Sequence, residues 1–255
     1  MLVAGVDAGS RAVKLILWDR SKSQSLASGM LDQGVHQDAL ANDLLDRLLS
    51  QAGCSRGDLR GVVATGYGRN IVGFADRTIT EITCHARGVR HVLPEVRTVI
   101  DIGGQDCKVI HLDEQGNVYD FSMNDRCAAG SGRFLEMVAT RLDVSLDRLA
   151  ELSRASTDPA AISSMCVVFA ETEIVGLLAT GTPPEDIVAG VLNSLARRVA
   201  GMIGRTKDGP VVFTGGAAQI GGLVTALEVA LERPVIVAPE PQMTGALGAA
   251  LSVPQ

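Results

Sequence analysis

The sequence predicts an α/β protein built of two similar halves. Three observations carry this expectation: a repeated strand–turn–strand motif, strands that run through glycine turns into helices, and many small residues with few aromatic ones. Val6 to Asp19 reads VDAGSRAVKLILWD, and Ile100 to Asp113 reads IDIGGQDCKVIHLD. In both, an apolar residue precedes an Asp, and a Gly, a Lys and a second Asp follow at fixed spacing. Asp7, Gly9, Lys14 and Asp19 thus match Asp101, Gly103, Lys108 and Asp113. One Asp-x-Gly is a weak sign, because it occurs at many surface turns. Two copies, each opening one half, are a strong one. The chain holds 28 glycines and 3% aromatic residues, which suits a tightly turned α/β protein better than a sandwich with an aromatic core.

Each copy of the motif reads as a strand, a tight turn and a second strand, with Gly supplying the positive φ that such hairpins need. Helical periodicity follows over 38–52 (DALANDLLDRLLSQA). GVVATGYGRN (61–70) reads as a strand entering a glycine turn, and 81–93 as a helix ended by Pro94. The crossover between halves falls near 94–98. Further helices are expected near 131–142, 145–152, 170–179, 184–204 and 221–232. PVVFTGGAAQIGG (210–222) is a buried strand, a Gly-Gly turn and a helix start, a geometry that turns backbone amides toward an anion. PEPQMTGALGAAL (239–251) closes the chain as a small-residue helix able to pack closely. These boundaries give a first domain over 1–96, on which the helix of 240–255 packs, and a second over 97–239.

The bulk numbers exclude several classes. At 255 residues with 46% hydrophobic content, the chain can bury a substantial core and is globular. A net charge of −6 and no basic run argue against a nucleic-acid surface. No apolar run reaches the roughly 18 residues of a membrane span. The opening MLVAGVDAGSR goes straight into a strand-like segment with acidic Asp7, unlike a signal peptide, so a cytoplasmic location is expected. Five cysteines in such a chain are a poor match for a disulfide framework.

The turns and thiols carry the chemistry. Each repeated Asp closes its first strand, where a carboxylate can face a metal or a phosphate, and the turn amides can cradle phosphate oxygens. The functional reading is two phosphate-binding hairpins facing each other across an interdomain cleft; the bland one is an old duplication whose turns bind nothing. In NDRCAAGSGRFLE, Cys127 stands ahead of five small residues and an apparent helix, which fits an anion cradle, a reactive thiol or a metal ligand. Cys166 repeats the arrangement in CVVFAETEIVGLLA. A helix N-terminus would stabilise thiolates and a negatively charged cluster. The alternative is a pair of buried or idle thiols. Cys54 lies in a polar loop-like stretch, while Cys84 in a helix and Cys107 in a strand suit core packing. His85 beside Cys84 suggests a metal pair, but adjacent helical residues face different directions, so a structural role is expected.

With paired hairpins and a third Gly-Gly turn, the chain resembles the acetate and sugar kinase/Hsp70/actin superfamily of ATP-binding folds. The motifs ATGYGRN, EITCHARG, VIDIGGQDCKVI, NDRCAAGSGRFLE, SSMCVVFAETEIVGLL, GGAAQIGG and GALGAAL, spread over about 3–251, narrow the likeness. Together they resemble the 2-hydroxyacyl-CoA dehydratase activator family, ATP-dependent electron-transfer components that also include ATPase subunits of benzoyl-CoA reductase and reductases of double-cubane cluster proteins. The resemblance implies two similar actin-like (ribonuclease H-like) domains with a nucleotide cleft between them. It implies a homodimer sharing one [4Fe-4S] cluster, with Cys127 and Cys166 of each copy as ligands. It implies ATP or ADP with Mg2+, bound by the first turn (Gly9, Ser10, Arg11, Ala12, Val13, Lys14), the second (Gly103, Gly104, Gln105), and Gly215, Gly216, Gln219 and Gln242 toward the adenosine. Asp7, Asp101 and Lys14 would be catalytic. Arg11 stands where the family often has Thr, Ile220 replaces a polar residue, and Cys107 an aliphatic one. The implied partners are a ferredoxin or flavodoxin as electron donor and an iron–sulfur dehydratase or reductase as acceptor, with neither nucleic acid nor membrane. A small-molecule kinase would need a substrate insertion that this short chain does not show; a nucleotide-binding sensor would lack the cluster.

Overall fold

The computed structural model describes residues 1–124, 131–163, 167–204 and 209–254. The chain divides into two compact units. One comprises Met1–Val99, Ile110–Asp120 and Ala238–Gln255; the other comprises Ile100–Val109 and Phe121–Val237.

In the first unit, β1 (Leu2–Ala8), β2 (Ala12–Asp19) and β3 (Gln24–Asp32) form an antiparallel meander. Helix α1 (Gln37–Gln51) then returns the chain, so that β4 (Leu59–Thr65) pairs parallel with β1 and β5 (Arg77–Thr78) parallel with β4. A parallel pair needs such a crossover. The order is β3-β2-β1-β4-β5. Alternation along β1 sorts two faces. Leu2, Ala4, Val6 and Ala8 pack with Leu44, Leu45, Leu48 and Leu49 of α1. Val3 packs instead with Cys84 of α2 (Glu81–Val92) and with Ala246, Leu247, Ala249 and Ala250 of α8 (Thr244–Leu251). Asp7 is in phase with Val3, so its side chain belongs to the α2/α8 face. Close approach on that face is enforced by glycine: a Cβ on Gly5 would meet Ala246 and Ala250, and one on Gly248 would meet the backbone of Cys84.

The second sheet contains β6 (Thr98–Ile102), β7 (Cys107–Leu112), β8 (Val118–Asn124), β9 (Val211–Thr214) and β10 (Val235–Val237), in the order β10-β9-β6-β7-β8. Matching β6 to β1 and counting onward gives the order of the first sheet, so the sequence repeat is also a repeat of topology. The core of the second unit joins Ile100, Ile102 and Phe213 to Phe134 and Leu135 of α3 (Gly132–Arg141), Leu149 of α4 (Leu146–Ala155), Ile174 of α5 (Val167–Ala179), Val191 of α6 (Pro184–Ile203) and Leu223 of α7 (Gly221–Leu231). The α/β fold of two similar units is thus the one the repeat predicts. Three helices differ from expectation by three residues or more at one end: α4 runs to Ala155 rather than 152, α5 is described from Val167 rather than 170, and α8 begins at Thr244 rather than 239, with Glu240 at a positive φ of 43° ahead of it.

Candidate functional site

The first hairpin belongs to the first unit. Asp7 is 4% exposed and is the register partner of both Lys14 on β2 and Thr65 on β4. Lys14 Nζ lies 3.1 Å from Asp7 Oδ2. The turn closes with Gly9 N–H donating to the Ala12 carbonyl at 3.1 Å, and a Cβ on Gly9 would sit 3.1 Å from that same oxygen. Gln33 braces the turn from the end of β3: its side-chain amide donates to the Gly9 carbonyl at 2.7 Å and its backbone N–H to the Arg11 carbonyl at 2.9 Å. Sequence reading missed Gln33, which lies outside the repeated motif. Ser10 is half-buried, and exposed Arg11 lies 3.6 Å from Asp32. Ala12 and Val13 bury their side chains, so only their backbone could serve a ligand.

The second hairpin, in the second unit, repeats this plan with a deeper lysine. Asp101 is 3% exposed, and Gly103 N–H donates to the Asp106 carbonyl at 3.0 Å. Lys108 Nζ reaches Asp101 Oδ2 at 3.4 Å and Asp106 Oδ2 at 2.7 Å. Asp106 has no counterpart in the first turn and draws Lys108 inward: its side chain is 3% exposed against 18% for Lys14. Lys14 is therefore the better placed of the two to meet a phosphate. Gly104 is half-buried and Gln105 exposed. The first turn of α3 is tied to this hairpin, with the Gly132 N–H donating to the Gly103 carbonyl at 2.8 Å and the Arg133 N–H to the Gly104 carbonyl at 2.9 Å.

A third element is duplicated too. β4 ends in Thr65-Gly66 and β9 in Thr214-Gly215, both glycines with positive φ (93° and 88°). A Cβ on either would stand 2.6 Å from Oδ1 of the matching carboxylate, Asp7 or Asp101. Each Asp therefore leans over a glycine at the end of the adjacent strand. Thr65 and Thr214 are fully buried. The signal was present as V-V-x-T-G in both halves, but only Gly215 was picked out from it. Past Gly215, Gly216 opens a short turn with exposed Gln219, and buried Ile220 precedes α7. Gln242 is half-buried just before α8 in the first unit.

Cys127 and Cys166 lie outside the described residues. Cys84 and Cys107 are buried and Cys54 half-buried, and the two buried thiols pack in the cores of their units as expected. Burial pushes the Cys84 thiol up to about 11, opposed by contact with the Thr65 hydroxyl, and pushes Cys107 far above the ordinary thiol range. His85 is 5% exposed, with Nδ1 3.1 Å from Thr244 Oγ1. Among the described residues no group of three or more His, Cys, Asp or Glu is arranged to hold a metal ion, and no helix is long and apolar enough to cross a membrane.

The activator of lactoyl-CoA dehydratase of Anaerotignum propionicum is 44% identical over 254 residues, covering 98% of this chain and 96% of that one. The solved structure of the activator of the 2-hydroxyisocaproyl-CoA dehydratase from Clostridium difficile, with bound ADPNP, matches with a TM-score of 0.90 at 41% identity over 98% of this chain and 93% of that one. That of the (R)-2-hydroxyglutaryl-CoA dehydratase component A of Acidaminococcus fermentans matches with a TM-score of 0.91 at 43% identity, over 98% and 96%. The model of the BadF/BadG/BcrA/BcrD ATPase family matches residues 4–253, and with full-length relatives this similar the chain belongs to that family.

Proposed function

We propose that this chain is an ATP-hydrolysing activator that delivers a low-potential electron to an iron–sulfur 2-hydroxyacyl-CoA dehydratase. The observation that carries the nucleotide half is the duplicated hairpin, with a buried Asp paired to a Lys at the mouth of each glycine turn. The turns are tight enough to need glycine, since a Cβ would stand 3.1 Å from the Ala12 carbonyl oxygen at Gly9 and 2.9 Å from Asp106 Oδ1 at Gly103, and such side-chain-free turns suit a phosphate approaching the backbone. Gly9, Ser10 and the amides through Val13 would bind phosphate, as would Gly103, Gly104 and Gln105; Gly215, Gly216, Gln219 and Gln242 would serve the nucleoside. Asp7 or Asp101 would hold Mg2+ and orient the attacking water, and Lys14 would offset phosphate charge. The relatives named as dehydratase activators, one solved with ADPNP, support this reading.

The electron-transfer half rests on the resemblance at Cys127 and Cys166. Two thiolates from each of two copies would hold one [4Fe-4S] cluster, which would supply the one-electron chemistry. A second copy is supported by α5, which follows Cys166 in the chain and leaves Val168, Phe169 and Val175 exposed on an uncharged stripe with Thr172. A ferredoxin or flavodoxin would be the donor.

Anaerobic purification tests the proposal. A brown dimer with about four irons per two chains supports it, and an iron-free colourless protein sinks it. In the same preparation Asp7→Asn should abolish ATP turnover and keep the cluster absorbance.

A further inference from the structure

We propose that Gln33 is a positioning residue: by holding two carbonyls of the first turn it fixes the direction of the Ser10 and Ala12 amides, and so sets how tightly that turn binds a nucleotide phosphate. This role rests on the ATPase reading above. Every contact it needs lies within the first unit.

Gln33 follows Asp32, the last residue of β3, which is the register partner of Ala12 at the start of β2. It thus stands beside the turn without belonging to the repeated motif. Its Nε2 donates to the Gly9 carbonyl at 2.7 Å, and its backbone N–H to the Arg11 carbonyl at 2.9 Å. The Gly34 N–H donates to Gln33 Oε1 at 3.3 Å. These bonds decide which end of the side-chain amide is the donor, because a flipped amide would set oxygen against the Gly9 carbonyl and nitrogen against the Gly34 N–H.

A trans peptide unit is planar, so its C=O and its N–H point in opposite directions. Holding the Gly9 carbonyl toward Gln33 turns the Ser10 N–H away from it. Holding the Arg11 carbonyl does the same for the Ala12 N–H. One residue thus sets two peptide planes of the turn. Among the described residues no acceptor takes the Ser10 N–H, which leaves it for a ligand. The second hairpin holds the same carbonyl by other means. Gly103 accepts from the Gly132 N–H at 2.8 Å, and Gly104 from the Arg133 N–H at 2.9 Å. Both donors there are main-chain amides that no ordinary substitution removes. In the first turn the donor to the motif glycine is a side chain, so this brace can be removed while the motif stays intact.

Two measurements on the full chain test the assignment. The first is backbone 1H–15N NMR of wild type and of Gln33→Met, which keeps the length of the side chain and loses its donor. The Ser10 amide resonance should move, and the Ala12 one should move less, because the bond to the Arg11 carbonyl comes from the backbone of residue 33 and survives the substitution. A Ser10 amide that does not respond overturns the inference. The second is the dissociation constant for Mg-ADPNP together with steady-state ATP hydrolysis. Gln33→Met should weaken ADPNP binding and raise the KM for ATP about 3- to 10-fold, the value of one hydrogen bond, with kcat changed by no more than about twofold. Gln33→Glu, which sets an anionic acceptor against the Gly9 carbonyl, should raise both further. A loss confined to kcat, or a lower urea midpoint with unchanged nucleotide affinity, reduces Gln33 to a packing residue and overturns the proposal. A wild type that binds and hydrolyses ATP, with Gln33→Met matching its affinity, overturns this role alone. A wild type that neither binds ADPNP nor hydrolyses ATP removes the ATPase reading, and the affinity role with it, whatever the Ser10 resonance does.

Discussion

Adding one methyl group at Gly248 should damage the first unit more than its size suggests. A Cβ there would fall against the carbonyl oxygen and carbon of Cys84 on α2 and 2.8 Å from its Cα. All three are backbone atoms, so no rotamer change relieves the clash and α8 must shift. Overpacking of this kind costs about 1–3 kcal/mol, and its upper end applies here. The higher helix propensity of Ala offsets about 1 kcal/mol. The net loss for Gly248→Ala is about 2 kcal/mol. Gly57→Ala is the control in the same unit: its Cβ would meet only Ser55 Oγ, at 3.6 Å, an ordinary contact. By restricting the unfolded chain it should stabilise by about 0.4–1 kcal/mol. Trp18, the sole tryptophan, packs in the same cluster as Ala246, Leu247, Ala249 and Ala250, so its fluorescence reads this packing during urea unfolding. With a slope of about 2–3 kcal/mol/M, the Gly248→Ala midpoint should fall by about 0.7–1 M. A midpoint at or above that of Gly57→Ala would show that the helix contacts are softer than this geometry requires.

Lys108→Met should cost about 3–5 kcal/mol, because it strands Asp101 and Asp106 beside a buried apolar chain; Lys14→Met should cost less in the same denaturation assay, since Lys14 is partly exposed. In native thiol labelling, Cys54 should react well before Cys84 and Cys107, whose burial holds them protonated; equal rates would contradict the packing. The Asp186 carboxylate accepts from the Ser156 hydroxyl at 2.7 Å and from the backbone N–H groups of Thr157 and Asp158 at 3.1 Å each, which holds it below the usual Asp range. A depressed folded value means stability that is full above the ordinary Asp range and is lost as pH falls through the depressed one. Asp186→Asn should therefore be less stable than wild type near neutrality, with a gap that closes on acidification in pH-dependent melts.

Much of this was legible because the chain states its plan twice. The Asp–Gly–Lys spacing marked both hairpins, and local sequence patterns marked the eight helices of the described residues, several to within a residue or two. The outer strands were not legible. β3 alternates exposed and half-buried residues at a sheet edge, and β5 is two exposed residues long, so neither carries a strong apolar pattern. Thr65 and Gly66 stand in a legible strand-and-turn pattern, yet their place beside Asp7 depends on which strand lies next to β1. His85 read as a packing residue, and it is buried. Its partner Thr244 lies 159 residues further along, a juxtaposition no local pattern encodes.

The sheet of the first unit is finished by α8, the last helix of the chain, while every residue of the second unit precedes Ala238. During synthesis the ribosome therefore delivers a complete second unit before it delivers a complete first one. The usual order, in which the N-terminal part folds first, is reversed. Until Thr244–Leu251 emerges, Val3, Ile16 and Val63 lack α8 to cover them, and the carboxylate of Asp7 stands without Gly245 beside it. The nascent chain thus holds its first Asp–Gly hairpin long before that hairpin's surroundings are assembled.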